Sequence, residues 1–179
     1  PVFLDFPVDV LRATPSPAVL LKEHFKPLKS SVTLPHPADI QAAVELLWQA
    51  KRPLFISGRG ARKAGPALQE LLTKLGAVYL DTSESKGLVP EDHPAVVAAM
   101  RGQVMGQADL VVTLGRKLDF QLAFGSPAIF GEAKFLRLAD NAAELRDNRR
   151  GDVEVLADVD QTLQAINSAA KDRQPSTDV

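Results

Sequence analysis

Leu54-Phe55-Ile56-Ser57-Gly58-Arg59-Gly60-Ala61-Arg62-Lys63-Ala64-Gly65 is the stretch whose reading decides the fold. Residues 54–57 form an apolar run of strand length that stops at a glycine. The stretch beyond them sets Leu68, Leu71, Leu72 and Leu75 on one helical face, with Gly76 as its C-terminal cap. The order is strand, turn, helix. Upstream, Pro37 suits a first helical position and Asp39 the positive end of a helix dipole, while Ile40, Val44 and Leu47 recur at the i, i+4, i+7 spacing of a buried stripe. Lys51 and Arg52 end that helix and Pro53 stops it.

The same alternation continues downstream. Residues 77–80 read as a strand, residues 81–93 as a polar loop, and a third helical stretch is expected from Pro94. Leu110–Leu114 is an uninterrupted apolar run closing on Gly115. Residues 135–138 and 153–156 read as further strands, and residues 159–170 as a closing helix with Leu163 and Ile166 inward. Strands that are apolar on both faces and alternate with helices imply parallel pairing in a covered sheet. The expected fold is therefore α/β: a doubly wound parallel sheet of about six strands with helices on both faces, of the Rossmann-like FAD/NAD-binding type.

This domain is assigned to residues 37–172. Residues 1–36 are read as the end of a preceding domain and a linker arm, with a strand over 1–7 and one helical turn near 19–23, because Pro15, Pro17, Pro27, Pro35 and Pro37 interrupt regular structure there. Residues 173–179 form a polar tail. An opening Pro1 in place of Met suggests a chain cut from something longer or processed.

At 179 residues with 45% hydrophobic and 24% charged residues, the composition is that of a globular domain and excludes disorder of the whole. Lys and Arg number 21 against 22 Asp and Glu, so there is no basic field to hold a nucleic-acid backbone or an anionic membrane. Cysteine is absent, which removes thiolate chemistry and agrees with a reducing, cytoplasmic setting. His24, His36 and His93 lack metal-ligand spacing, and no apolar run approaches the ~20 residues of a membrane span. No metal site is expected.

In an open parallel sheet, ligands bind at the carboxyl ends of the strands, so those loops are where chemistry would sit. The turn Gly58, Arg59, Gly60 could bring backbone N–H groups against a phosphate, yet it is neither the dinucleotide fingerprint nor a P-loop. A tight turn that needs glycines for positive φ accounts for it equally. Gly115, Arg116 and Lys117 could bind a pyrophosphate, or the two cations could simply be solvated. Residues 146–150 read as a solvated face or a helix end and not as a binding patch. No Ser-His-Asp set, paired carboxylates or His-Glu cluster can be assembled from the strand-end loops, so no catalytic residue is assigned.

Four stretches carry a family resemblance: Pro1-Val2-Phe3-Leu4-Asp5-Phe6-Pro7-Val8-Asp9-Val10; Lys51-Arg52-Pro53-Leu54-Phe55-Ile56-Ser57-Gly58-Arg59-Gly60-Ala61; Ser85-Lys86-Gly87-Leu88-Val89-Pro90-Glu91-Asp92-His93-Pro94; and Ala108-Asp109-Leu110-Val111-Val112-Thr113-Leu114-Gly115-Arg116-Lys117-Leu118-Asp119-Phe120. Together they resemble the central domain of thiamine-diphosphate-dependent enzymes of the acetolactate synthase type, especially the oxalyl-CoA decarboxylase and 2-hydroxyacyl-CoA lyase branch. The resemblance implies flanking pyrimidine- and diphosphate-binding domains in the same polypeptide, which hold thiamine diphosphate and Mg2+, and a homo-oligomeric full-length protein. It implies a structural central domain without catalysis of its own, with a crevice that takes FAD or ADP in some members. Nucleotide contacts carried over by position fall on Gly58, Arg59, Gly60, Gly115, Arg116, Lys117, Asp140 and Asp158.

Two departures weaken that crevice toward a vestigial one. Gly115-Arg116-Lys117 stands where the family usually has Gly-Ala-Arg, and Ala139 stands where an Asp ordinarily follows the strand, which would turn Asp140 elsewhere. The rival reading is a free-standing nucleotide- or flavin-binding module, separable by the length of the open reading frame. A nicotinamide dehydrogenase half lacks both its fingerprint and its acid.

Overall fold

The computed structural model describes residues 2–14 and 31–174, so the helical turn expected near 19–23 lies outside the described residues. The chain divides into two units, Pro1–Ser31 and Val32–Val179. In the first, residues 2–7 form no strand. A single helical turn, α1 (Val8–Arg12), follows with no buried residue. The strand expected over 1–7 is corrected accordingly: an apolar run becomes a strand only when a neighbouring edge takes its N–H and C=O groups.

The second unit is the α/β domain. Helix α2 (Pro37–Gln49) starts where His36 accepts a hydrogen bond from the Ala38 N–H and Pro37 takes the first turn, and it buries Ile40, Ala43, Val44, Leu47 and Trp48. Strand β1 (Pro53–Ser57) is buried throughout. Helix α3 (Gly65–Leu75) ends on Gly76 at φ 57°, whose left-handed backbone lets Ala77 N–H reach the Leu72 carbonyl. Strand β2 (Val78–Leu80) follows. The helix expected from Pro94 instead begins at Arg101, as α4 (Arg101–Gln107). Pro94 and Ala95 lie in a turn closed by the Val96 N–H on the His93 carbonyl, and Val96 then bridges β2, with the Tyr79 N–H donating to the Ala95 carbonyl and the Tyr79 carbonyl accepting from the Val97 N–H, so no helix starts at Pro94.

Strand β3 (Leu110–Leu114), helix α5 (Pro127–Phe130), strand β4 (Lys134–Ala139), helix α6 (Ala142–Leu145), strand β5 (Val153–Leu156) and helix α7 (Val159–Ala169) complete the domain. All strands pair in parallel in the order β2-β1-β3-β4-β5, so among the described residues the sheet has five strands where about six were expected.

The strand order reverses direction at β1, and right-handed crossovers then send α3 to the opposite face from α4 and α5. Two core clusters follow. One joins α2, α3 and α7 to Phe55, Val112, Leu136 and Leu138; the other joins α5 and its neighbours to Leu54, Ile56, Val111 and Phe135. Burial on both faces is why β1 and β3 read as continuous apolar runs.

Candidate functional site

The loops after β1 and β3 meet at the point where strand order reverses, and they meet through glycine backbone. Gly60 N–H donates to the Gly115 carbonyl at 3.2 Å, Gly58 N–H to the Leu114 carbonyl at 2.9 Å, and Gly115 N–H to the Leu138 carbonyl at 2.7 Å. A Cβ on Gly60 would stand 2.8 Å from the Gly115 Cα. Gly58 has φ −133°, and Gly60 is not at positive φ either, so neither needs glycine for a left-handed turn. Close approach is the reason; only Gly115, at φ 52°, needs glycine for both.

Beside this clasp lies a crevice of about 390 Å3. Residues after β1 supply Arg59, Gly60, Arg62 and Lys63; the end of β4 and α6 supply Asp140, Asn141 and Glu144; the start of α7 supplies Asp158 and Asp160. Cations thus come from the β1 loop and acids from the β4 and β5 ends. Arg59 and Lys63 are exposed, while the Arg62 Nε is tied to the Glu84 carbonyl at 3.0 Å. The helix expected directly after Gly60 is preceded by a 3-10 turn, Arg59–Ala61, and α3 starts only at Gly65.

Arg59, Gly60, Asp140 and Asp158 therefore line one crevice. Strand β4 runs to Ala139, one residue beyond the expected end, so Asp140 follows the strand directly and the offset does not turn it away. Asp158 also caps α7, its Oδ1 accepting from the Gln161 N–H at 3.0 Å. Gly58 and Gly115 sit behind, as the clasp.

Arg116 faces elsewhere. Its guanidinium forks onto both Asp119 oxygens at 2.8 and 2.9 Å and onto Gln121 Oε1 at 2.8 Å, so it is neither a solvated side chain nor part of the crevice lining. That hydrogen-bonded fork is the main reason the Asp119 carboxyl is held below its ordinary value. Lys117 is exposed and lies outside the lining, although its charge acts on Glu144.

Residues that sequence reasoning missed are Arg62, Lys63, Asn141, Glu144 and Asp160. Glu144 had one available signal: it stands four positions after Asp140, the distance of a helical turn. Burial is the main force pushing its carboxyl up, and the neighbouring Asp140 charge adds to it.

Residues 146–150 do follow a helix end, Arg146 capping the helix Ala142–Leu145, but they are not simply a solvated face. Arg149 lies 4.1 Å over the Phe135 ring and donates to the Gly125 and Ala133 carbonyls, and Asp147 pairs with the buried Arg137. Helix α6 spans only Ala142–Leu145, too short to cover the sheet, and these side chains cover it instead.

An open parallel sheet with helices on both faces and a mixed-charge crevice at the carboxyl ends of its strands is a Rossmann-like α/β architecture. The family described as thiamine pyrophosphate enzyme, central domain, matches residues 40–166, and the chain belongs to it. Oxalyl-CoA decarboxylase of Escherichia coli (strain K12) is 32% identical over 173 residues, covering 95% of this chain and 31% of that protein. A 2-hydroxyacyl-CoA lyase of Oryza sativa subsp. japonica is 32% identical over 182 residues, covering 96% and 31%. The chain thus spans about a third of the length of these relatives. A protein from Mycobacterium smegmatis described as a thiamin diphosphate-dependent enzyme shares the fold, with TM-score 0.67 and 20% identity over 85% of this chain and 30% of that one.

Among the described residues, no group of three or more His, Cys, Asp or Glu is placed to hold a metal ion. No helix among them is long and apolar enough to cross a membrane.

Proposed function

We propose that this chain is the structural middle domain of a longer, cytoplasmic, homo-oligomeric thiamine-diphosphate-dependent lyase or transferase. Its domain spans residues 37–172, and flanking pyrimidine- and diphosphate-binding domains of the same polypeptide hold the thiamine diphosphate and Mg2+. The chain itself performs no decarboxylation or carboligation. Its own ligand is a nucleoside diphosphate, bound weakly in the crevice between the β1 loop and the ends of β4 and β5.

The supporting observation is the division of charge in that crevice: Arg59, Arg62 and Lys63 on one wall suit phosphates, and Asp140, Glu144 and Asp158 on the other suit ribose hydroxyls. Its volume of about 390 Å3 falls at the lower end of the ~300–1,000 Å3 of small-molecule sites, which favours ADP over the larger FAD.

Titration calorimetry with ADP, FAD and thiamine diphosphate tests this. ADP binding is expected at tens of micromolar or weaker, with Arg59→Ala and Lys63→Ala each costing about tenfold, or ~1.4 kcal/mol. Lys117→Ala should change little, and Arg116→Ala should lower stability instead of affinity. A micromolar dissociation constant for thiamine diphosphate, or ADP binding indifferent to Arg59 and Lys63, would contradict the proposal.

A further inference from the structure

The turn after β3 holds two large apolar side chains in water. Phe120 is 75% exposed and Phe124 53%, on a segment whose Leu118 and Leu122 are buried in the second core cluster. Mobility is not the cause. The Asp119 carbonyl accepts from the N–H groups of both Leu122 and Phe124, at 3.0 and 2.8 Å, so the two rings belong to one closed turn. That turn is pinned from both ends: Arg116 forks onto the Asp119 carboxylate, Asp147 and Asn148 take the Leu118 N–H and carbonyl, and Arg149 donates to the Gly125 carbonyl at 2.7 Å. Ala123 and Phe124 stand at φ 45° and 55°, a left-handed backbone that penalises any residue with a Cβ. A strained and tightly held turn that presents phenyl rings to solvent serves nothing inside its own domain, and such features mark surfaces that bind.

Resting on the reading of this chain as a middle domain, we propose that Phe120 and Phe124 anchor a flanking domain of the same polypeptide, which takes the two rings into an apolar pocket. Aromatic side chains are enriched at the energetic centres of interfaces, and a surface already ordered in the free domain loses little entropy on docking. The occupant exists in the relatives: this chain matches 31% of the length of the Escherichia coli oxalyl-CoA decarboxylase, and the greater part of that protein lies outside the match. A ligand of the crevice is a poorer occupant, since neither ring lines it. So is a membrane surface, which favours cations around the rings, whereas residues 118–125 contain one acid and no cation.

The chain has no cysteine, so Phe120→Cys and Phe124→Cys each place a single thiol in it. Each variant is reacted with iodoacetamide as the 179-residue chain and within the complete polypeptide, the modified peptide being quantified by mass spectrometry against its rate in denaturing urea. Both thiols should react close to the denatured rate in the 179-residue chain, and about tenfold or more slowly in the complete polypeptide, where reaction waits for the flanking domain to lift. Adding Phe120→Ser to the Phe124→Cys variant should speed the reaction in the complete polypeptide several-fold and leave that of the 179-residue chain unchanged. Equal rates in the two contexts overturn the inference while leaving the middle-domain reading intact. Protection already present in the 179-residue chain, or lost from the complete polypeptide on dilution, gives the patch to a second copy and overturns it as well. A polypeptide without flanking domains overturns both.

Discussion

Arg137 carries a full charge into the interior of β4, where its side chain is 1% exposed. Its guanidinium forks onto Asp147 at 2.7 and 3.0 Å, and donates to the carbonyls of Glu144 and Arg149, each at 2.5 Å. Asp147 in turn accepts from the Leu118 N–H at 2.7 Å, so one ion pair ties β4 to the β4–β5 crossover and to the loop after β3. Removing one partner leaves a buried charge and several carbonyls unpaired, so Arg137→Ala should cost about 3–5 kcal/mol by urea denaturation. Arg137→Met with Asp147→Leu should recover a large part of that loss, because a desolvated pair is often neutral against an apolar one. A double variant no better than the single one would refute this account. At this scale little was legible in the sequence: an arginine inside a strand carries no mark of burial, and its partner lies ten positions on. The pH dependence at Glu144 has a worked sign. Its folded-state pKa is raised above the ordinary 4.5, so it adds stability below that value and loses it as pH rises through the folded pKa. Glu144→Gln, neutral and nearly isosteric, should therefore equal wild type in acid and unfold at higher urea than wild type toward neutral pH.

The elements were largely readable because the central strands are apolar on both faces. The runs at β1, β3, β4 and β5 announced themselves within a residue or two of their observed ends. Helix α4 did not, since none of its residues is buried and no apolar stripe marks it. The glycines at two strand ends were legible as positions, but their cause was not, because close approach between loops more than fifty residues apart leaves no local pattern. Three substitutions separate the causes. Gly87→Ala meets φ 81° with nothing within 4 Å, and should cost the ~1 kcal/mol of a left-handed backbone alone. Gly60→Ala, not at positive φ but 2.8 Å from the Gly115 Cα, reports the crowding alone. Gly115→Ala combines both and should be the most destabilising, by more than about 2 kcal/mol in denaturant unfolding. If Gly60→Ala is as stable as wild type, the clasp is not what the glycines serve.

For the molecule as a whole, parallel topology brings residues 59–63, 140–144 and 158–160 to one end of the sheet, and only the fold makes a crevice of segments so distant in sequence. The resemblance located part of it, since it rests on the strand-end loops, while side-chain directions such as that of Arg116 depend on partners the pattern does not name. The exposure of the first residues carries the last prediction. Among the described residues, every buried apolar side chain lies from Ile40 to Ala170, whereas Val2, Phe3, Leu4, Phe6, Val8, Val10 and Leu11 are all exposed by more than half. Hydrophobic burial scales with area removed from water, so these seven contribute little of it to this chain's stability. A chain lacking residues 1–11 should therefore keep the unfolding free energy of the 179-residue chain within the ~10–15% of linear extrapolation. It should also self-associate less, because exposed apolar side chains have been removed. Sedimentation velocity and urea unfolding on the two chains decide the matter: a midpoint that falls clearly on truncation would mean that residues 1–11 stabilise the chain despite their exposure, and this account of their apolar side chains would have to be given up.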